Sequence, residues 1–198
     1  MVVFGITGGS GSGKTSVSKM LEKLGVHIID TDVIAHEIVE PNSDCLNELV
    51  DYFGDSILND DKTLNRKKLA SIAFSDKQKT VALSNITHKY IKAEVVKDIN
   101  TTDAELVGID GAVIIGSNVE PLCEFIVSVI ADKQIRITRI KTRDNITDEQ
   151  AIQRINAQND DEFYKENSMY IIYNNGDIAQ LESDVVGLFN KIKGNSFE

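Results

Sequence analysis

The 198-residue chain is poor in cysteine and proline, with two of each. Cys45 and Cys123 lie far apart and fit no metal-binding or redox spacing, so neither a zinc site nor a disulfide framework is expected. Both are expected as buried or inert thiols of a reducing cytoplasm. The two prolines, Pro41 and Pro121, make no proline-rich linker, and no internal repeat or low-complexity tract is present. Positive charge is in deficit: 21 lysines and arginines stand against 31 acids, a net charge of −10. A nucleic-acid backbone would be repelled over most of such a surface. A small nucleotide would not, because it needs only a local positive pocket. Long apolar runs are missing too. The stretch from Phe125 to Ala131 is far too short to span a bilayer, and the first residues show no charged segment followed by a long apolar one. No membrane and no secretory route is therefore expected, and a cytoplasmic protein is. Hydrophobic residues at 41% and charged residues at 26% suit one globular α/β core with at most a small subdomain.

What is present is concentrated at the amino terminus. Val2-Val3-Phe4-Gly5-Ile6 is an uncharged apolar run, long enough for one buried strand. It leads into Thr7-Gly8-Gly9-Ser10-Gly11-Ser12-Gly13-Lys14-Thr15. Beyond Thr15, Val17, Met20, Leu21 and Leu24 recur at helical spacing. Strand, glycine loop and helix form the context in which Gly8, Gly13, Lys14 and Thr15 read as a phosphate-binding loop. A nucleoside triphosphate carries about four negative charges and requires many donors at once. Bare glycine backbone lets successive N–H groups point into one concavity, and the helix start adds its open amides and positive dipole end. Gly9, Ser10, Gly11, Ser12 and Gly13 are thus the expected ATP cradle. Lys14 would meet the outer phosphates, and the Thr15 hydroxyl is placed to ligand Mg²⁺.

Further along, Gly25 reads as a helix C-cap and Val26 to Ile29 as a second strand ending in Asp30-Thr31-Asp32. Two carboxylates there sit where open parallel sheets bind ligands. Either one of them serves as a base or organises Mg²⁺, or both are helix caps. From Asn42 to about Asn100 the pattern is helical, with a polar interruption at Asn59-Asp60-Asp61-Lys62. Arg66 opens its middle helix, and His88 lies in the long helix from Lys77 to Ile99, where spacing alone makes it structural. Leu106 to Asp110 is a strand ending in an acid, the generic second motif of phosphate-loop enzymes. After the strand at Phe125 to Ala131, Arg136, Arg139 and Arg143 recur three and four residues apart on one helical edge, the local positive pocket in an acidic chain. Thr147 to Gln150 has capping-box spacing and opens a second basic helix. Together the two helices look like a lid that would exclude water. Met169 to Tyr173 is a last strand, Asn174-Asn175-Gly176 follows, and Asp177 caps a final helix striped by Ile178, Leu181, Val185, Leu188 and Ile192.

Taken in order, the glycine loop, Ile29-Asp30-Thr31-Asp32, Leu64-Asn65-Arg66, Thr87-His88, Arg139, Arg143-Asp144, Arg154 to Gln158 and Asn174-Asn175-Gly176 resemble the dephospho-coenzyme A kinase family over nearly the whole chain. The resemblance implies an α/β P-loop kinase: a three-layer fold with a parallel five-stranded sheet, a helical acceptor-binding insertion and a helical lid. The core would be residues 1–31, 104–135 and 168–198, the acceptor-binding part about 32–103 and the lid about 136–167. It also implies ATP and dephospho-CoA as substrates, Mg²⁺ as cofactor and a monomer or small homo-oligomer. Asp32 would be the base that accepts the ribose 3′-hydroxyl proton. Arg139 would stabilise charge on the moving phosphoryl group, with Arg143 also on the ATP. Asn174 and Asn175 would lie on the adenine side, Arg66 and His88 near the acceptor, and Asp110 would hold Mg²⁺ through water. Two departures concern the acceptor side. Ala112-Val113-Ile114-Ile115-Gly116 stands where the family has Pro-Leu-Leu-Phe-Glu, and His88-Lys89 stands where it has His-Pro. A kinase for another small hydroxyl acceptor and a nucleotide-binding regulator with little transfer activity are the alternatives. An acceptor screen and a test for acceptor-dependent turnover separate them.

Overall fold

The computed structural model describes residues 1–195. Five strands, β1 (Val2–Thr7), β2 (His27–Asp30), β3 (Leu106–Asp110), β4 (Phe125–Ile130) and β5 (Tyr170–Tyr173), form one parallel sheet in the order β2-β3-β1-β4-β5. A parallel sheet is covered on both faces, so its strands read as continuous apolar runs. β1 and β4 accordingly carry no charge, and β3 carries only its closing Asp110. β1 pairs with β3 on one side (Ile6 opposite Asp110) and with β4 on the other (Thr7 opposite Ser128). The chain therefore leaves β1 at the point where the strand order reverses, which is where sheets of this kind bind ligands.

Nine helices lie among the described residues: α1 (Lys14–Lys23), α2 (Thr31–Glu37), α3 (Asp44–Phe53), α4 (Arg66–Ala73), α5 (Lys77–Thr101), α6 (Lys133–Asp144), α7 (Asp148–Asn156), α8 (Asp161–Glu166) and α9 (Ile178–Asn195). No helix of the described residues is long and apolar enough to cross a membrane. The chain divides into two compact units, one made of Met1–Ile29 with the residues from Thr102 on, the other of Asp30–Thr101. In the first, Val17 and Leu21 of α1 and Leu181, Val185, Leu188 and Ile192 of α9 are buried in one cluster with Phe4, Ile6, Val127 and Val129 of the sheet. Each such side chain contributes about 1.5–3 kcal/mol on burial. Gly25 closes α1 with φ 98°, and the Val26 N–H donates back to Leu21 O at 3.1 Å, as a left-handed helix stop requires. A separate small core, Ile137, Ile140, Ala151 and Ile155, holds α6 to α7.

In the second unit, Ser43 and Asn65 cap α3 and α4, and Leu46, Leu49, Leu69 and Val95 are buried. Glu48 of α3 accepts from Lys89 and Tyr90 of α5, and the Lys89 bond above all holds the Glu48 carboxyl below its ordinary range. The polar interruption is more ordered than its composition suggests: a 3-10 turn at Asp55–Ile57 and an antiparallel bridge from Leu58 to Leu64 enclose it. Both cysteines are free thiols; burial pushes Cys45 up to about 11 and Cys123 up to about 12.

Candidate active site

The glycine loop starts at the carboxyl end of β1 and ends as the N-cap of α1. Gly13 fills the cap with φ 98°, a conformation that suits only glycine, and no side chain caps the helix. The Ser16 and Val17 amides turn back to Gly13 O, at 2.9 and 3.2 Å. Among the described residues, no hydrogen bond from the amides of Lys14 or Thr15 occurs, and α1 has no acid in its first turn. Most helices place an acceptor of their own at this end. Open amides and a positive dipole end of this kind can receive an anion from outside. Gly11, with φ 79°, is tied to its neighbour as well: a Cβ there would lie 2.8 Å from Arg136 O. Ser12 is buried, and its hydroxyl has no hydrogen-bond partner among the described residues.

Lys14 directs its ammonium to the Asp110 carboxylate at the end of β3, an ion pair whose side chains are 14% and 4% exposed. The Thr15 hydroxyl is exposed and makes no hydrogen bond among the described residues. The Thr15 hydroxyl and the Asp110 carboxylate offer oxygens of the kind a hard cation takes, and the open amides suit the phosphates on which such a cation would arrive. No group of three or more His, Cys, Asp or Glu side chains that could hold a metal unaided occurs among the described residues.

The three arginines of α6 separate. Arg139 is half-buried; its Nη1 donates to Gly11 O and Ser12 O, both at 3.3 Å, and its Nη2 to Asn174 Oδ1 at 3.3 Å. Asn174 is buried at the end of β5 and donates from Nδ2 to Ser12 O at 2.7 Å. Lys14, Arg139 and Asn174 are thus brought together on the loop. Arg143 is exposed and instead grips Asp144 at 2.7 and 2.8 Å. Arg136 is buried against the loop, although its spacing places it on the same edge as the other two. Asn175 exchanges two 2.8 Å bonds with Asp132, the N-cap of α6, whose carboxylate caps nothing as a result. Gln158, just beyond α7, accepts the Ser10 N–H at 2.8 Å. Gln158 and Arg136 are contacts that periodicity could not rank, because their reach depends on how α6 and α7 cross the loop. α8 lacked a periodic signal: its bulky residues, Phe163 and Tyr164, are adjacent.

Ala112-Val113-Ile114-Ile115-Gly116 forms turns after β3. Gly116 has φ 78° and donates its N–H to Glu120 Oε2 at 2.6 Å. A cavity of about 200 Å³ opens there, lined by Thr7, Ala112, Val113, Ile115, Phe163 and Tyr164 among others. In the Asp30–Thr101 unit, Asp30 caps α2: its Oδ1 accepts from the amides of Asp32 and Val33 at 2.8 and 3.1 Å. Asp32 lies exposed in the first turn of that helix. Arg66 is exposed at the first position of α4, and His88 is half-buried within α5.

A phosphate-binding loop at the switch point of a five-stranded parallel sheet, with a lysine and an arginine on it, defines a P-loop kinase. Known structures agree on the fold. Shikimate kinase from Bacteroides thetaiotaomicron aligns with a TM-score of 0.56 at 18% identity over 97% of this chain and 98% of that one. The protein TT1252 from Thermus thermophilus reaches 0.83 at 24% over 96% and 97%. Dephospho-CoA kinase from Campylobacter jejuni gives 0.69 at 26% identity, covering 98% of both chains. Sequence narrows the class. The dephospho-CoA kinase family profile matches residues 2–180. Dephospho-CoA kinase of Lactobacillus johnsonii is 34% identical over 191 residues, 95% of this chain and 96% of its own. That of Listeria monocytogenes is 34% identical over 194 residues, 96% and 97%. The chain belongs to the dephospho-CoA kinase family.

Proposed function

We propose that the protein transfers the γ-phosphoryl group of ATP to the ribose 3′-hydroxyl of dephospho-CoA, giving coenzyme A and ADP. The observation that carries this reading is the uncapped start of α1, with Lys14, Arg139 and Asn174 gathered on the same loop. The amides of Gly13, Lys14 and Thr15 receive the phosphates, and Lys14 exchanges its Asp110 partner for the outer ones. Arg139 meets charge spreading over the phosphoryl oxygens, which positioning and fixed dipoles stabilise best. Thr15 and Asp110 fit Mg²⁺ brought by the nucleotide, which when bound neutralises phosphate charge. Asn174 and Asn175 border the adenine side, and Arg143 joins the nucleotide only by leaving Asp144. The Asp30–Thr101 unit binds the acceptor through Arg66 and His88, and the segment from α6 through α8 acts as the lid. Asp32 takes the hydroxyl proton as the 3′-oxygen bonds to phosphorus. The bond from phosphorus to the bridging oxygen breaks, and ADP departs with that electron pair.

The test is ADP release in a coupled assay. Turnover should depend on dephospho-CoA and should not appear with adenosine or simple sugars; equal rates with and without the acceptor would overturn the reading. Asp32→Asn should lower kcat by about a hundredfold or more while ATP affinity changes little. Near-normal kcat in that variant would remove Asp32 from the role of base.

A further inference from the structure

Arg136 takes no part in the transfer just described, yet it is among the most buried charged residues of the chain. Its side chain is 5% exposed. Nε donates to Ser10 O at 2.9 Å, and Nη2 donates to Gln158 Oε1 at 3.3 Å. That same Gln158 oxygen accepts the Ser10 N–H at 2.8 Å, so both backbone groups of Ser10 are held by one connected pair of side chains. Gly9 lies under the guanidinium: a Cβ there would collide with Arg136 Nη2 and come within 2.8 Å of Cζ. The nearest carboxylate, Asp161, is 3.5 Å from Nη1 and 42% exposed.

We propose that Arg136 is a positioning residue for nucleotide binding, holding the two peptides that flank Ser10, and with them the turn leading into the phosphate-receiving amides of Gly13 to Thr15, and that Gly9 lacks a side chain in order to admit it. The inference rests on reading this loop as the nucleotide cradle. A buried guanidinium with one long ion pair is costly, and an apolar side chain of similar volume would pack as well or better. Stability alone therefore does not account for it. Its planar fork does what no apolar residue can, bonding a loop carbonyl and an amide oxygen at once, and a lysine ammonium lacks that geometry. Fixing the loop beforehand removes an ordering cost that the nucleotide would otherwise meet on arrival.

The experiment is a double-mutant cycle on the full chain, read as MgADP affinity by calorimetry with thermal unfolding recorded alongside. Arg136→Ala and Gly9→Ala should each weaken MgADP about tenfold or more, the scale of losing a charged hydrogen bond. In the Arg136→Ala background, Gly9→Ala should add less than about twofold, since the group it would strike is gone. Methylguanidinium should restore affinity to Arg136→Ala through the adjoining cavity of about 540 Å³, and should do nothing for Gly9→Ala. Affinity within about twofold of wild type in Arg136→Ala, whatever its melting temperature, would overturn the proposal. So would an equal effect of Gly9→Ala in both backgrounds. If Arg136→Ala does not fold, Arg136→Lys decides the matter by the same twofold criterion. No acceptor enters these measurements, so a wrong acceptor leaves them standing. Wild-type protein that binds no MgADP would overturn the nucleotide reading and this inference together.

Discussion

At the scale of single residues, Ser12 gives main chain and side chain opposite fortunes. Its carbonyl accepts from Asn174 and Arg139, whereas its buried hydroxyl has no partner among the described residues. A buried donor left unmatched costs about 1–3 kcal/mol, and removing it is neutral or favourable. Ser12→Ala should therefore leave stability unchanged or raise it by up to about 2 kcal/mol in denaturant titrations, with MgADP affinity within about twofold of wild type. A loss above about 1 kcal/mol would mean that the hydroxyl is matched after all. The carboxylates after β2 illustrate what a sequence leaves open at this scale. Asp30 and Asp32 carry the same group two positions apart, and either residue type can cap a helix. Extended backbone at Asp30, with φ −87° and ψ 107°, aims its carboxylate at the first amides of α2 and gives capping to that residue. Only the backbone angle decides it, and composition carries no trace of that angle.

At the scale of elements, α6 and α7 are joined at their connection by charge as well as by their small apolar core. Asp144, the last residue of α6, accepts from Arg143 and from Arg154 of α7, which holds its carboxyl down to about 2, the Arg143 bond weighing most. A carboxyl lowered on folding contributes stability above its ordinary pKa of 3.8, and that contribution is lost as pH falls through about 2. An NMR titration of the Asp144 carboxyl should thus find its midpoint near 2, and Arg143→Ala should move it up further than Arg154→Ala. A midpoint in the ordinary range in the unsubstituted protein would show that the arginines do not hold the carboxyl in solution. Elements with strong local signals were legible beforehand. β3 occupies its expected residues, and the Thr147–Gln150 capping box forms with both of its bonds. α8 was not: six residues, Asp161 to Glu166, are too few to show a helical period, and a side-chain cap from Asp160 to the Phe163 amide starts it. Arg136 was legible as part of a basic edge but not as a buried contact, because period locates a face of a helix and not what packs against it.

At the scale of the whole molecule, the proposed reading sets an acidic ligand on an acidic protein through a small set of fixed donors, and that has a consequence for metal dependence. Net charge of −10 favours cation accumulation in general, but a dedicated Mg²⁺ site needs oxygen ligands converging on one point, several of them anionic. No cluster of three candidate side chains exists among the described residues, and Asp110 is already paired with Lys14. Mg²⁺ should therefore bind only where phosphate oxygens complete its shell. The amides proposed to hold those phosphates are arranged only in the folded chain, so the nucleotide should stabilise that state by mass action. At a hundred times its Kd, MgADP should add about 2.7 kcal/mol. For a chain of this length that corresponds to a rise in Tm of roughly 5–10 °C. Millimolar Mg²⁺ without nucleotide should move Tm by less than about 1 °C, and removing Mg²⁺ with a chelator should shrink the ADP effect without abolishing it, because on the proposed reading the amides and Lys14 bind phosphate without the metal. A shift of several degrees with Mg²⁺ alone, insensitive to Asp110→Asn, would reveal a metal site elsewhere and break the link between cation and nucleotide.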